Sequence, residues 1–233
     1  MSDIPETVSR YRYKLLLGVL LVIASIISVT LVKVHGKMTG TENYSFLVWN
    51  LFLAWIPYFA SLAAYLSMRR RATFFLIMPV STIVWLVFFP NASYLLTDFQ
   101  HLSVTNLNSP LWFDVIILVW FAWTGLLLGI SSLYQMQEIV TRAFNPVVGW
   151  IFAIVVTSLS SVGVYMGRFL RWNSWDILQD PLPIAKDVYG IVRHPMTNLP
   201  TFVFTILFTL LFLFIYFTIH LFGGIIRERR KAS

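Results

Sequence analysis

Six apolar runs without a charged residue constrain this chain more than any other feature of its sequence. Each run has at least 18 residues, and a helix needs about 20 to cross the hydrocarbon core of a bilayer. With 58% hydrophobic and 12% charged residues, the chain is too apolar for a soluble domain. Because lipid offers no partner for backbone N–H and C=O groups, the runs must be helical. We therefore predict an all-α, polytopic membrane protein with a six-transmembrane-helix bundle in a single domain, 1–233. The expected helices cover about 15–34, 46–68, 72–90, 111–137, 146–168 and 199–226.

The distribution of basic residues predicts the orientation of these helices. Eleven lysines and arginines fall on the side of both termini and six on the other side, and Arg69–Arg71 form the densest cluster. Because cytoplasmic loops carry an excess of lysine and arginine, we expect a cell-membrane protein with both termini in the cytoplasm. The net charge of +7 comes from clusters beside the apolar runs. Such clusters are typical of contacts with lipid headgroups, so we expect membrane lipids and no nucleic acid as partners.

The first of two polar segments on the predicted outer face covers 90–110. Pro90 is expected to stop the third helix, and a short amphipathic stretch follows. At helical spacing, Tyr94, Asp98 and His101 share one side of this stretch. We therefore expect an interfacial or re-entrant helix rather than a solvated loop.

The second polar segment covers 168–198. Arg168 and Arg171 are three residues apart, so we expect them to project together as the fifth helix leaves the membrane. Two guanidinium groups can bind a phosphate or carboxylate through paired hydrogen bonds. Asn173 and Asp176 follow closely and are expected to orient the arginines.

These residues allow two kinds of chemistry. Asp98 and His101 are the catalytic candidates, because a carboxylate and an imidazole can relay a proton. The same pair could instead hold a divalent metal with His194 or Asp176, although we expect no cofactor. The chain has no cysteine, which excludes disulfides and thiolate metal sites. The remaining candidates are expected to bind a ligand: Asn91, Tyr94, Arg168, Arg171, Asn173 and Asp176.

Three segments carry a resemblance to a known family. They read FFPNASYLLTDFQHL, GLLLGISSLY and GRFLRWNSWDIL. In this order and spacing they resemble a bacterial integral-membrane family known only as domain of unknown function 1361, over roughly residues 70–225. Ser93 stands where a proline is expected in the family pattern. The resemblance implies a helical bacterial membrane protein and supplies no reaction.

Three functions remain open from the sequence. The first is an enzyme or binding protein with an outward-facing polar pocket for a lipid or lipid-linked anion. The second is a non-catalytic membrane partner or assembly subunit whose outer-loop charges are structural. The third is a small-solute transporter, which the sequence favours least because no acidic residue lies at the centre of an apolar run.

Overall fold

The computed structural model describes residues 6–68, 71–104, 110–194 and 196–232, and every regular element in these ranges is helical. Six of the helices are long and apolar enough to cross a membrane, which confirms the predicted all-α polytopic bundle. Two short helices, α6 and α7, connect the last two spans. The elements are α1 (Glu6–Thr39), α2 (Ser45–Ser67), α3 (Arg71–Tyr94), a 3₁₀ helix (Leu95–Val104), α4 (Leu111–Ala143), α5 (Pro146–Phe169), α6 (Asp176–Gln179), α7 (Pro181–Arg193) and α8 (Leu199–Ala232).

The helices extend beyond the apolar runs that predicted them. Helix α1 begins at Glu6 and α8 continues to Ala232, because lysine, arginine and glutamate continue a helix readily in water. Helix α5 begins as its sequence predicts, since the Asn145 side chain accepts a hydrogen bond from the Val148 amide at 2.9 Å ahead of Pro146. Arg69 and Arg70, which weigh most in the predicted orientation, lie outside the described residues.

The bundle has two ends. At the site end α1, α5 and the 3₁₀ helix end, while α2, α4 and α8 begin; the far end is opposite. Helix α4 is central, since it packs against α1, α2, α3 and α5 and is the most buried of the six spans. Its approach to α3 is close at Gly125, where an added Cβ would lie 2.7 Å from the carbonyl oxygen of Ala92. A larger residue would therefore separate the two helices.

Helix α1 is joined to α4 near both of its ends. At the far end Lys14 Nζ lies 3.0 Å from Glu138 Oε2, and Glu138 also accepts a hydrogen bond from the Tyr65 hydroxyl at 3.3 Å. At the site end His35 Nε2 lies 3.1 Å from Asp114 Oδ1. Between these contacts α1 makes few contacts with α2, so a groove opens toward lipid.

The third span does not stop at Pro90, contrary to the sequence prediction. Helix α3 continues through Pro90 to Tyr94, and the chain then winds directly into the ten-residue 3₁₀ helix. The Pro90 ring packs against α5 at Gly163, where an added Cβ would lie 2.8 Å from the Pro90 Cγ. In membrane helices neighbouring helices and local 3₁₀ adjustments accommodate a proline in this way.

The second outer segment splits into two parts. Its beginning packs on the first outer segment through Arg168 and Ser174. Helix α7, in contrast, buries none of its described residues. A hydrogen bond from Trp172 Nε1 to Asp187 Oδ2 at 2.8 Å ties the polar side of α7 to the preceding turn.

Candidate functional site

The 3₁₀ helix positions the first two candidate residues. A 3₁₀ helix has three residues per turn, so side chains three positions apart are stacked in one row. Leu95, Asp98 and His101 form such a row. Leu95 is buried against Gly125 of α4, which holds the row against the bundle and leaves Asp98 1% exposed.

The Arg168 guanidinium lies at the centre of the site. It forms an ion pair with Asp98 through Nη2 and donates from Nε to the Thr97 hydroxyl at 2.8 Å. Its Nη1 lies 3.2 Å from His101 Nε2. The Arg168 side chain is only 6% exposed, so the end of α5 is fixed to the 3₁₀ helix by buried polar contacts.

Neighbouring side chains complete this Arg168 cluster. Asn50 of α2 donates to the second carboxylate oxygen of Asp98 at 3.2 Å. The Tyr94 ring lies under the guanidinium, with 4.1 Å between its centroid and the Arg168 Cζ. The amide of Gln100, turned so that its oxygen faces the guanidinium, accepts from Arg168 Nη1 at 2.8 Å. The ring of Phe46 packs on His101 at 4.7 Å between centroids.

The hydrogen-bond roles in the cluster limit its chemistry. A guanidinium has donors only, so His101 Nε2 accepts and the imidazole carries its proton on Nδ1. Each oxygen of Asp98 and each guanidinium nitrogen of Arg168 has a protein partner. The cation between Asp98 and His101 is thus Arg168, in the position that a metal would occupy in the alternative interpretation of this pair. Within the described part of the chain, no three His, Asp or Glu side chains are grouped as metal ligands.

Arg171 does not join Arg168, and here the sequence prediction was wrong. Helix α5 ends at Phe169, so the helical spacing that would align the two arginines is lost before Arg171. Arg171 has a φ of +62° and is exposed. It makes no hydrogen bond or ion pair with the residues that the structure describes.

The other predicted ligand residues lie around the same turn. Asp176 Oδ2 accepts two hydrogen bonds from Asn173, one from the backbone N–H at 2.7 Å and one from the side-chain Nδ2 at 3.2 Å. These two residues therefore stabilise the turn and, among the described contacts, do not orient either arginine. Asn91 donates to the Ser174 hydroxyl at 2.7 Å and ties the turn to α3. His194, the possible additional metal ligand, is exposed at the end of α7.

A second buried polar cluster at the site end was not found from the sequence. His35 and Asp114 are 2% and 1% exposed and contact each other, and Tyr44 hydrogen bonds to Asp114. Burial, together with the charge of Asp114 and the hydrogen bond to it, raises the pKa of Tyr44 to about 12. The sequence signal for this cluster was that two ionisable residues, His35 and Asp114, lie at the ends of two predicted spans on the same side of the membrane.

A family described as "Protein of unknown function (DUF1361)" matches residues 49–215. The chain belongs to the DUF1361 family. The DUF1361 match includes Asn50, Tyr94, the 3₁₀ helix and Arg168, whereas Phe46 and α1 lie outside it. No curated protein and no solved structure is detectably similar to the chain.

Proposed function

We propose that this DUF1361 protein binds an anionic lipid or lipid-linked anion at the outer surface of a bacterial cell membrane, and that Arg171 contacts the anion. The observation that carries this proposal is the contrast between two arginines. Arg168 is buried and fully engaged, whereas Arg171 is exposed and without a described partner.

The backbone at Arg171 supports a role for its side chain. A positive φ costs a residue with a Cβ about 1–2 kcal/mol, and glycine adopts it without that cost. Helices commonly end with glycine in this conformation. The backbone conformation at this position therefore favours glycine and does not explain the presence of an arginine. Arg171 follows the end of a spanning helix by two residues, and headgroup phosphates are expected near the end of such a helix.

The outward orientation rests on the count of basic residues. By sequence position, eleven lysines and arginines are assigned to the side of both termini and six to the other side. The positive-inside rule then puts both termini in the cytoplasm and the site end outside.

The Arg168 cluster has a supporting role in this proposal. An anion could reach Arg168 only by displacing Asp98, at the cost of a buried unpaired carboxylate. Asp98 and His101 are therefore positioning residues that hold the 3₁₀ helix against α5, and no reaction is assigned to them. The same engagement of Arg168 favours a second candidate function, a non-catalytic assembly subunit in which these charges only hold the outer loops together.

Native mass spectrometry of the detergent-purified protein with added phosphatidylglycerol distinguishes the two functions. Arg171→Gly keeps the backbone conformation and removes the guanidinium, while Arg171→Lys keeps a charge. We expect Arg171→Gly to weaken the first adduct about fivefold, equivalent to ~1 kcal/mol per basic residue at an anionic surface. Arg171→Lys and the exposed control Lys186→Ala should bind like the wild type. Unchanged binding by folded Arg171→Gly would reject the anion site and favour the assembly subunit.

A further inference from the structure

The groove between α1 and α2 has the form of a site for one hydrocarbon chain. It has a volume of about 510 Å³. From α1 it is lined by Val22, Ile26, Val29 and Lys33, and from α2 by Trp55 and Phe59. The α1 residues recur every three or four positions and thus share one face. From Val22 to Lys33 this face runs for about 16 Å along the helix.

The polar groups described in the walls of the groove already have hydrogen-bond partners within the protein. The indole nitrogen of Trp55 donates to the Ser25 hydroxyl at 3.0 Å, and Ser25 donates to a backbone carbonyl of its own helix. The Thr30 hydroxyl likewise donates to the Ile26 carbonyl at 2.8 Å. An occupant without hydrogen-bonding groups therefore suits the groove, and lipid tails are the apolar molecules that surround a spanning helix.

Lys33 gives the groove a polar end. It is exposed and lies six residues before the end of α1, about 9 Å along the helix. A lysine at this depth extends its ammonium group toward the headgroup layer. A second copy of the chain packed into the groove would instead bury Lys33 against apolar residues, at the cost of desolvating it.

We propose that this groove binds an anionic phospholipid, with one acyl chain between α1 and α2 and the headgroup phosphate on Lys33. The chemical class follows from the two ends of the groove, because a hydrocarbon chain matches the walls and an anion matches the ammonium group. This site is independent of the proposed function at Arg171. It uses other residues, and α1 lies outside the family match.

Crosslinking to a defined lipid tests this site directly. The protein is reconstituted with phosphatidylglycerol carrying a photoactivatable diazirine on one acyl chain, or with the matching phosphatidylcholine. Labelled peptides are then located by mass spectrometry. We expect peptides covering 22–33 and 55–59 to be labelled about fivefold more by phosphatidylglycerol, equivalent to ~1 kcal/mol per basic residue. Equal labelling of these peptides by the two lipids would overturn the proposal, and so would labelling of α8 as strong as that of the groove.

Two lysines one turn apart provide the matched control. Lys33 and Lys37 are both exposed on α1, but only Lys33 lines the groove. Lys33→Ala should abolish the preference for phosphatidylglycerol, and Lys37→Ala should retain it. Val29→Trp should reduce labelling of Phe59 by either lipid, because it fills the space for the acyl chain. Equal effects of the two lysine variants would overturn the assignment of Lys33. If Arg171 does not bind an anion, the proposal for the groove still stands, because the labelled peptides identify the groove separately.

Discussion

Two buried polar contacts join neighbouring elements at the site end. Arg168 with Asp98 joins α5 to the 3₁₀ helix, and His35 with Asp114 joins α1 to α4. Moving charges out of water is costly, and only close partners compensate for the loss of hydration. Removing one partner of a buried ion pair is therefore more destabilising than replacing both, since it leaves the other charge buried without compensation.

Asp98→Ala should lower the free energy of unfolding by about 3–5 kcal/mol, because it leaves the Arg168 guanidinium buried and unpaired. The measurement is a denaturant titration in detergent micelles. Asp176→Ala is the control, since among the described residues its carboxylate bonds only within an exposed turn, and it should cost about 1 kcal/mol. Equal destabilisation by the two variants would contradict the central role of Asp98. The double variant Asp98→Ala with Arg168→Ala should cost less than the sum of the single variants.

Tyr44 should make stability depend on pH in the alkaline range. Its pKa is raised from 10.0 to about 12 in the folded protein, so the folded state retains a proton that the unfolded state loses. Its contribution is complete below pH 10 and is lost as the pH rises through 12. The difference in tyrosinate absorbance between wild type and Tyr44→Phe should have its midpoint near pH 12. A midpoint near pH 10 would show that neither burial nor Asp114 raises the pKa of the phenol.

At the scale of elements, the 3₁₀ helix differs most from what the sequence predicts. An α-helical spacing puts Tyr94, Asp98 and His101 on one side, whereas the 3₁₀ winding aligns Leu95 with Asp98 and His101. Runs of this type rarely exceed four residues. No local sequence signal predicts ten of them, because the winding is held by contacts with α4 and with Arg168.

Helix α7 should lie in the plane of the membrane surface. Leu182, Tyr189 and Val192 are more than 60% exposed and share one face, and the connected spans α5 and α8 reach the surface on either side. Because the chain has no cysteine, nitroxide labels at Val192→Cys and at Asp187→Cys, on the opposite, polar side of α7, can be read individually. We expect high oxygen accessibility at 192 and high accessibility to an aqueous relaxation agent at 187. Low accessibility of position 192 to both agents would indicate a protein contact instead.

The sequence predicts the spans well and the site only in part. Hydropathy is a local property, so each apolar run identifies its own helix. Asp98 and His101 are found because they lie close together in the chain, but the partner of His35 is Asp114, 79 positions away. Arg171 was misplaced because its conformation depends on where α5 ends, and tertiary context overrides local helix propensity.

At the scale of the whole molecule, the orientation can be tested with two cysteines. Met196 at the site end and Phe144 at the far end are 87% and 72% exposed. In intact cells a membrane-impermeant maleimide should label Met196→Cys and not Phe144→Cys, as the positive-inside rule requires. Lysis should make both accessible. The reverse pattern would put the termini outside and remove the outer-surface assignment of Arg171.

The two contacts between α1 and α4 have a mechanical consequence. Lys14 and His35 are 21 residues apart, or about 32 Å along the helix, which is close to the thickness of the hydrocarbon layer. Helix α1 is therefore fixed to α4 at both borders of the membrane. Between these borders, Trp55 of α2 and Trp120 of α4 each donate one hydrogen bond to α1. Widening the groove would therefore break the bond from Trp55 while the contacts at both borders stay in place.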